Sequence, residues 1–76
     1  MTQIIVPDLG DAIEKVEIAL WHKNVGDRVG LDEDLVELVT DKASFNVAAP
    51  TGGVLKKIVF PAGQQAGIGD ILGEIE

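Results

Sequence analysis

Displaced by 37 residues, the chain matches itself. Gly26 falls on Gly63, Gly30 on Gly67, Leu35 on Leu72 and Glu37 on Glu74. Conservative matches join them at Ile18 with Leu55, Trp21 with Ile58, Leu31 with Ile68 and Leu38 with Ile75. The chain has 76 residues, room for one small domain and one modest core; a domain of this size buries only about 60% of its unfolded surface. Neither half is long enough to bury a core alone. The repeat therefore predicts two interlocked halves related by a pseudo-two-fold axis, each supplying about half of the strands.

The elements read as strands. Gly, Pro and Asp punctuate the chain every few residues and Val and Ile are abundant, the pattern of an all-β sandwich or barrel. Strands are expected over 3–6, stopped by Pro7, over 16–22, over a short edge segment starting at Val29, over 35–40 and 43–49, over 54–60 and over 71–75. Gly52-Gly53 and Gly67-Ile68-Gly69 read as turns between strands. The spacings Ile18 to Trp21 and Leu55 to Ile58 break strict alternation in the same way, which predicts a bulge or bend in both halves. One segment breaks the repeat: Asp8, Leu9, Gly10, Asp11 and Ala12 open a loop running to Lys15 that has no counterpart of equal length after Pro50. It reads equally as a recognition loop on a rigid scaffold and as a tolerated insertion.

The segments 35–40 and 43–49 pair around Asp41-Lys42. That register sets Thr40 opposite Ala43, Val39 opposite Ser44, Leu38 opposite Phe45, Glu37 opposite Asn46 and Val36 opposite Val47. Side chains alternate faces along a strand, so Val36, Leu38, Phe45 and Val47 form one apolar face and Glu37, Val39, Ser44 and Asn46 a mostly polar one. A slip of one residue would destroy the match. Lys42 then projects from a tight turn at the end of a stiff hairpin. An exposed lysine in a turn is ordinary in itself. Yet this placement suits an amine presented to a modifying enzyme, an attachment point rather than a Schiff-base former.

Other chemistries lack their parts. With no cysteine, disulfides and thiolate metal sites are excluded. Ser44 is the only serine and His22 the only histidine; they fall on different expected strands, without a nucleophile motif. Net charge is −7, with Arg28 the only arginine and Lys56-Lys57 the only basic pair, so nucleic acid is not an expected partner. No apolar run approaches membrane-spanning length and no secretory signal is visible, consistent with a bacterial or archaeal cytoplasm or a mitochondrial matrix. Asp27, Asp32, Glu33, Asp34, Glu37 and Asp41 read as a solvated face, or alternatively as a docking surface for basic partners. The consecutive Asp32-Glu33-Asp34 lacks the alternating ligand spacing of a calcium loop.

Ile5-Val6-Pro7-Asp8-Leu9-Gly10, Val25-Gly26-Asp27-Arg28-Val29 and Glu37-Leu38-Val39-Thr40-Asp41-Lys42-Ala43 together resemble a lipoyl domain, the carrier module of the acyltransferase subunit of 2-oxo acid dehydrogenase complexes. Ala49-Pro50-Thr51-Gly52-Gly53-Val54-Leu55 and Gly69-Asp70-Ile71-Leu72 extend the match over nearly the whole chain. The resemblance implies a flattened barrel of two four-stranded antiparallel sheets with two-fold quasi-symmetry, and a monomer. It implies lipoate in amide linkage on Lys42, attached by a lipoate ligase or lipoyl transferase. It further implies a shuttle: reductive acylation of the lipoyl group by a thiamine-diphosphate 2-oxo acid decarboxylase, acyl transfer to coenzyme A at an acyltransferase catalytic domain, and reoxidation by a dihydrolipoamide dehydrogenase. Asp8, Leu9, Gly10, Asp11 and Ala12, with Glu37, Asp41 and Ala43, are the expected recognition residues. The isolated domain is expected to be no enzyme, its parent chain a dihydrolipoamide acyltransferase. Trp21-His22-Lys23 and the run from Leu31 to Leu35 resemble 2-oxoglutarate or branched-chain carriers more than pyruvate carriers.

Three relatives of the same fold are alternatives. A biotinyl carrier has Met on both sides of its lysine, where this chain has Asp41 and Ala43. The glycine-cleavage carrier is longer, with added helix. An unmodified lipoyl-like module needs no lysine at the hairpin tip, and Lys42 is there.

Overall fold

The computed structural model describes residues 1–8 and 14–76. Eight strands follow in order: β1 Thr2–Ile5, β2 Lys15–Trp21, β3 Arg28–Val29, β4 Asp34–Val39, β5 Ser44–Ala48, β6 Gly53–Ile58, β7 Gln65–Gly67 and β8 Ile71–Ile75. They form two four-stranded antiparallel sheets, ordered β1-β8-β6-β3 and β5-β4-β2-β7. Exchanging β1 with β5, β8 with β4, β6 with β2 and β3 with β7 turns one order into the other, which is the pseudo-two-fold that the 37-residue repeat predicts.

The repeat extends to single hydrogen bonds. Gly26 N–H donates to Leu55 O (2.7 Å), and its counterpart Gly63 N–H donates to Ile18 O (2.8 Å). His22 N–H donates to Leu35 O and Val59 N–H to Leu72 O, both at 2.7 Å. Each half thus closes its strands on the other. The register of β2 on β4 shifts between Ile18 and Leu20, and that of β6 on β8 between Leu55 and Lys57. These are the two irregularities expected from the broken alternation.

Between the sheets lies one apolar core. Its buried members come largely in repeat pairs: Ile18 with Leu55, Val29 with Ala66, Leu35 with Leu72 and Leu38 with Ile75. The pairing is asymmetric where size demands it. Trp21 in β2 has Ile58 as its counterpart, and Val36 has Gly73. A Cβ on Gly73 would lie 3.3 Å from the Trp21 ring and 2.4 Å from the Lys57 carbonyl oxygen. The glycine in β8 leaves room for the indole, whose Nε1–H donates to Phe60 O across the sheets (2.8 Å). A half-buried indole with its donor satisfied stabilises more than an aliphatic side chain of similar area.

The sequence expectations hold with local corrections. Strand ends differ by one or two residues from those expected. Gly67 is not a turn residue: it ends β7, which pairs with β2 through Lys15 with Gly67, Val16 with Ala66 and Glu17 with Gln65. Three residues including a glycine carry no legible alternation, and the partner strand is remote in sequence. Ile68-Gly69 does turn, with Gly69 at φ 89°. Leu35 is fully buried alongside Val36 because the β4–β5 register shifts between Asp34 and Val36.

Candidate functional site

The β4–β5 hairpin has the register read from its sequence: Val36 pairs with Val47, Glu37 with Asn46, Leu38 with Phe45 and Val39 with Ser44. Val36 and Leu38 are buried and Phe45 and Val47 half-buried, while Ser44 and Asn46 are exposed and Glu37 and Val39 half-exposed. The inward face anchors the arms in the core. Asp41, Lys42 and Ala43 stand exposed at the tip.

Thr40 closes the turn. Its N–H donates to Ala43 O (2.8 Å), and its hydroxyl donates to the same oxygen (3.0 Å). The hydroxyl oxygen in turn accepts the N–H of Lys42 (3.3 Å) and of Ala43 (3.2 Å). Sequence reasoning assigned Thr40 only a place in the register. Threonine at the first position of a turn is the available signal, since its hydroxyl bonds nearby backbone N–H groups.

The five lysines are not equivalent. Lys23 Nζ pairs with Glu33 (3.2 Å) and Lys56 Nζ with Glu76 (3.5 Å). Lys57 stands opposite Glu74, and Lys15 opens β2 opposite Gly67. Lys42 alone sits at a strand-to-strand tip, and among the described residues no salt bridge holds its Nζ. An exposed primary amine at the end of a hairpin rooted in the core fits an amide-linked acyl group: the backbone is fixed and the amine is open to an enzyme.

The acids divide. Glu33 accepts the Gly30 N–H (3.0 Å), and that bond, with Lys23 beside it, holds its carboxyl below the usual value. Asp27 accepts the Asn24 N–H (2.8 Å). These two carboxylates close turns around β3. Of the six acids, Asp34, Glu37 and Asp41 belong to the hairpin, with Asp34 opening β4 opposite Ala48, Glu37 on the outer face and Asp41 at the tip. His22, exposed at the end of β2, is within hydrogen-bond distance of Asn46 Oδ1 (Nε2, 2.9 Å), a cross-strand tie with no nucleophile in it.

Of the expected loop, Asp8 is exposed; Leu9, Gly10, Asp11 and Ala12 lie outside the described residues. The segment after the loop enters β2 at a telling place. Glu17 pairs with Val39, so Glu14 and Lys15 lie at the same end of the sheet as the Lys42 turn. Lys15 pairs with Gly67, near Gly69, whose N–H donates to Val6 O (3.0 Å). That end also receives the outgoing end of β1. The Thr2–Ile75 pair, with both chain ends, lies at the opposite end of a domain 32 Å long.

A family model described as "Biotin-requiring enzyme", covering biotin and lipoyl attachment, matches residues 2–75. The dihydrolipoyllysine-residue succinyltransferase component of the 2-oxoglutarate dehydrogenase complex from Rickettsia typhi is 41% identical over 73 residues, covering 96% of this chain and 18% of the relative. The same component from Haemophilus influenzae is 40% identical over 73 residues, with the same coverage. The chain therefore spans less than a fifth of the length of these curated relatives. Among solved structures, the lipoyl domain of the 2-oxoglutarate dehydrogenase complex from Azotobacter vinelandii superposes with a TM-score of 0.81 at 33% identity, covering 100% of this chain and 96% of that one. The fold, the lysine turn and these matches together place the chain in the biotin- and lipoyl-attachment family as a lipoyl domain, a carrier module that holds lipoate on a lysine and is not itself an enzyme.

Proposed function

We propose that Lys42 is the lipoylated residue and that the domain serves a 2-oxoglutarate dehydrogenase complex. The observation that carries the first statement is the position of Lys42 on a closed turn at the tip of a core-anchored hairpin, remote from both chain ends. The identities to succinyltransferase components and to a solved 2-oxoglutarate dehydrogenase lipoyl domain support the second. Attachment joins the Lys42 nitrogen to an activated lipoyl carboxyl. The C–N bond forms, the activating group leaves with the electrons of the bond it loses, and the amine sheds a proton. The bound group supplies a dithiolane that is reduced as it takes up an acyl group and reoxidised after the acyl group has passed on.

The chain's own contribution is presentation. The hairpin holds the Lys42 backbone still while the side chain extends the reach of its cargo. A carrier tethered in a complex meets each active site at high effective concentration without diffusive loss. The partners are the attaching ligase or transferase, a thiamine-diphosphate decarboxylase, an acyltransferase catalytic domain that takes the acyl group to coenzyme A, and a dihydrolipoamide dehydrogenase. Asp8, Leu9, Gly10, Asp11 and Ala12, with Glu37, Asp41 and Ala43, are the residues the decarboxylase reads. Shortening the loop to the length of its second-half counterpart is expected to leave attachment intact and to reduce reductive acylation sharply. The test measures acylation of lipoylated domain by 2-oxoglutarate and pyruvate decarboxylases, wild type against loop-shortened. A faster reaction with the 2-oxoglutarate enzyme that the shortened loop loses is the expected result; equal rates for both proteins remove the loop, and a preference for the pyruvate enzyme overturns the assignment.

A further inference from the structure

We infer that the Thr40 hydroxyl is a positioning residue for modification of Lys42, locking the turn in the shape a lipoate-attaching enzyme recognises. The inference rests on the assignment of Lys42 as the attachment site.

The turn has an unusual problem. Two-residue hairpin loops favour the I′ and II′ turns, whose twist matches that of the strands, and these need a positive φ at one or both central residues. The central residues here are Asp41 and Lys42, and neither has a positive φ; Asp32 is the only non-glycine residue among those described that does. The tip is therefore built without the I′ or II′ conformation, and a single backbone bond, Thr40 N–H to Ala43 O at 2.8 Å, spans it. A glycine would allow that conformation, but the lysine must occupy the turn.

The Thr40 side chain supplies the rest of the closure. A hydroxyl has one proton to donate and two lone pairs to accept with. All three are used within the turn: donation to Ala43 O at 3.0 Å, and acceptance from Lys42 N–H at 3.3 Å and Ala43 N–H at 3.2 Å. An ordinary tight turn would send the Ala43 N–H to the Thr40 carbonyl; here it goes to the hydroxyl. The hydroxyl thus engages the backbone of the lysine itself and of the residue after it. The half-buried Thr40 directly follows β4, so the clamp sits at the end of the sheet. The clamp's partners are all backbone groups of the tip, and its place beside Lys42 points to presentation.

The test uses the whole domain, lipoic acid, ATP and a lipoate ligase, comparing wild type with Thr40→Val and Thr40→Ser. Valine keeps the β-branched shape and loses the hydroxyl; serine keeps the hydroxyl. Thr40→Val is expected to lower kcat/KM for attachment about three- to tenfold, the range set by losing hydrogen bonds of this kind, with Thr40→Ser within about twofold of wild type on the same scale. Amide hydrogen exchange supplies the second reading. In Thr40→Val the Lys42 and Ala43 amides should exchange faster while Val36 and Leu38 stay protected. Wild-type kinetics in Thr40→Val overturn the inference. So does accelerated exchange throughout β4, which would make Thr40 an ordinary stabiliser of the fold. Lipoate mapped to another lysine in wild type refutes the Lys42 assignment instead, so the two failures are distinguishable.

Discussion

The hairpin tip at residues 40–43 and the pairing of β8 with β1 occupy equivalent places in the two halves. At the first, a turn clamped by Thr40 joins β4 to β5. At the second, Thr2 pairs with Ile75 and no turn joins the strands; Glu76 is held instead by reciprocal backbone bonds with Val54 (2.9 and 3.1 Å) and by the Lys56 ion pair. The comparison separates what the barrel needs from what the function needs. Asp41, Lys42 and Ala43 stand exposed and none belongs to the buried core. They are free to be specified by the lysine and by whatever must recognise it.

If the halves are energetically equivalent in the core, matched deletions should cost the same. Leu38→Ala and Ile75→Ala each remove a fully buried side chain at corresponding positions of β4 and β8. Each should destabilise by about 3 kcal/mol, a large part of the stability of a domain this small, measured by denaturant unfolding followed through Trp21. A Leu38→Ala cost well above that of Ile75→Ala would show that the lysine-bearing half is the sturdier one and would break the comparison.

Much of this symmetry was legible in the residues. The glycines, leucines and isoleucines 37 positions apart mark the halves, and the shared lapse in alternation after Ile18 and Leu55 marks both bulges. The hairpin register followed because its arms are adjacent in sequence and its apolar positions match in one alignment only. What escaped detection depends on contacts distant in sequence or on side-chain geometry. The strand β7 exists because β2 lies beside it. The bond from Trp21 to Phe60 spans 39 residues. The Thr40 clamp depends on the φ angles of the turn it closes. Likewise, the acids from Asp27 to Asp41 read in sequence as one face, whereas in the fold Asp27 and Glu33 close turns.

A smaller effect sharpens the same comparison. Asp32 has φ 66° where its counterpart Gly69 has φ 89°, and their N–H groups donate to Ala49 O (2.9 Å) and Val6 O (3.0 Å) in corresponding bonds. The left-handed conformation disfavours a residue with a Cβ. Asp32→Gly should therefore stabilise the domain by up to about 1 kcal/mol, the gain being limited by the greater freedom of glycine in the unfolded chain. A loss of stability in thermal unfolding would mean that the Asp32 side chain contributes something the glycine at the other turn does without.

The smallest expected effect concerns Glu33. Its folded pKa is lowered, first by the Gly30 N–H and then by Lys23. A lowered carboxyl pKa contributes stability that is present above the unfolded value and is lost as pH falls through the folded one. Glu33→Gln should thus melt below wild type at neutral pH, and the gap should narrow below the ordinary value of 4.5. A gap that persists unchanged in acid would assign the effect to packing instead of charge.

The central claim is that Lys42, and no other lysine, is where this domain is loaded. The direct measurement is peptide mass mapping after complete lipoylation, on wild type and on Lys42→Arg, which keeps the charge and removes the acylatable amine. The account predicts one lipoyl group per wild-type chain, on the peptide containing Lys42, and none on a Lys42→Arg domain whose unfolding midpoint matches wild type. Lipoate on Lys15, Lys23, Lys56 or Lys57, in either protein, would contradict it.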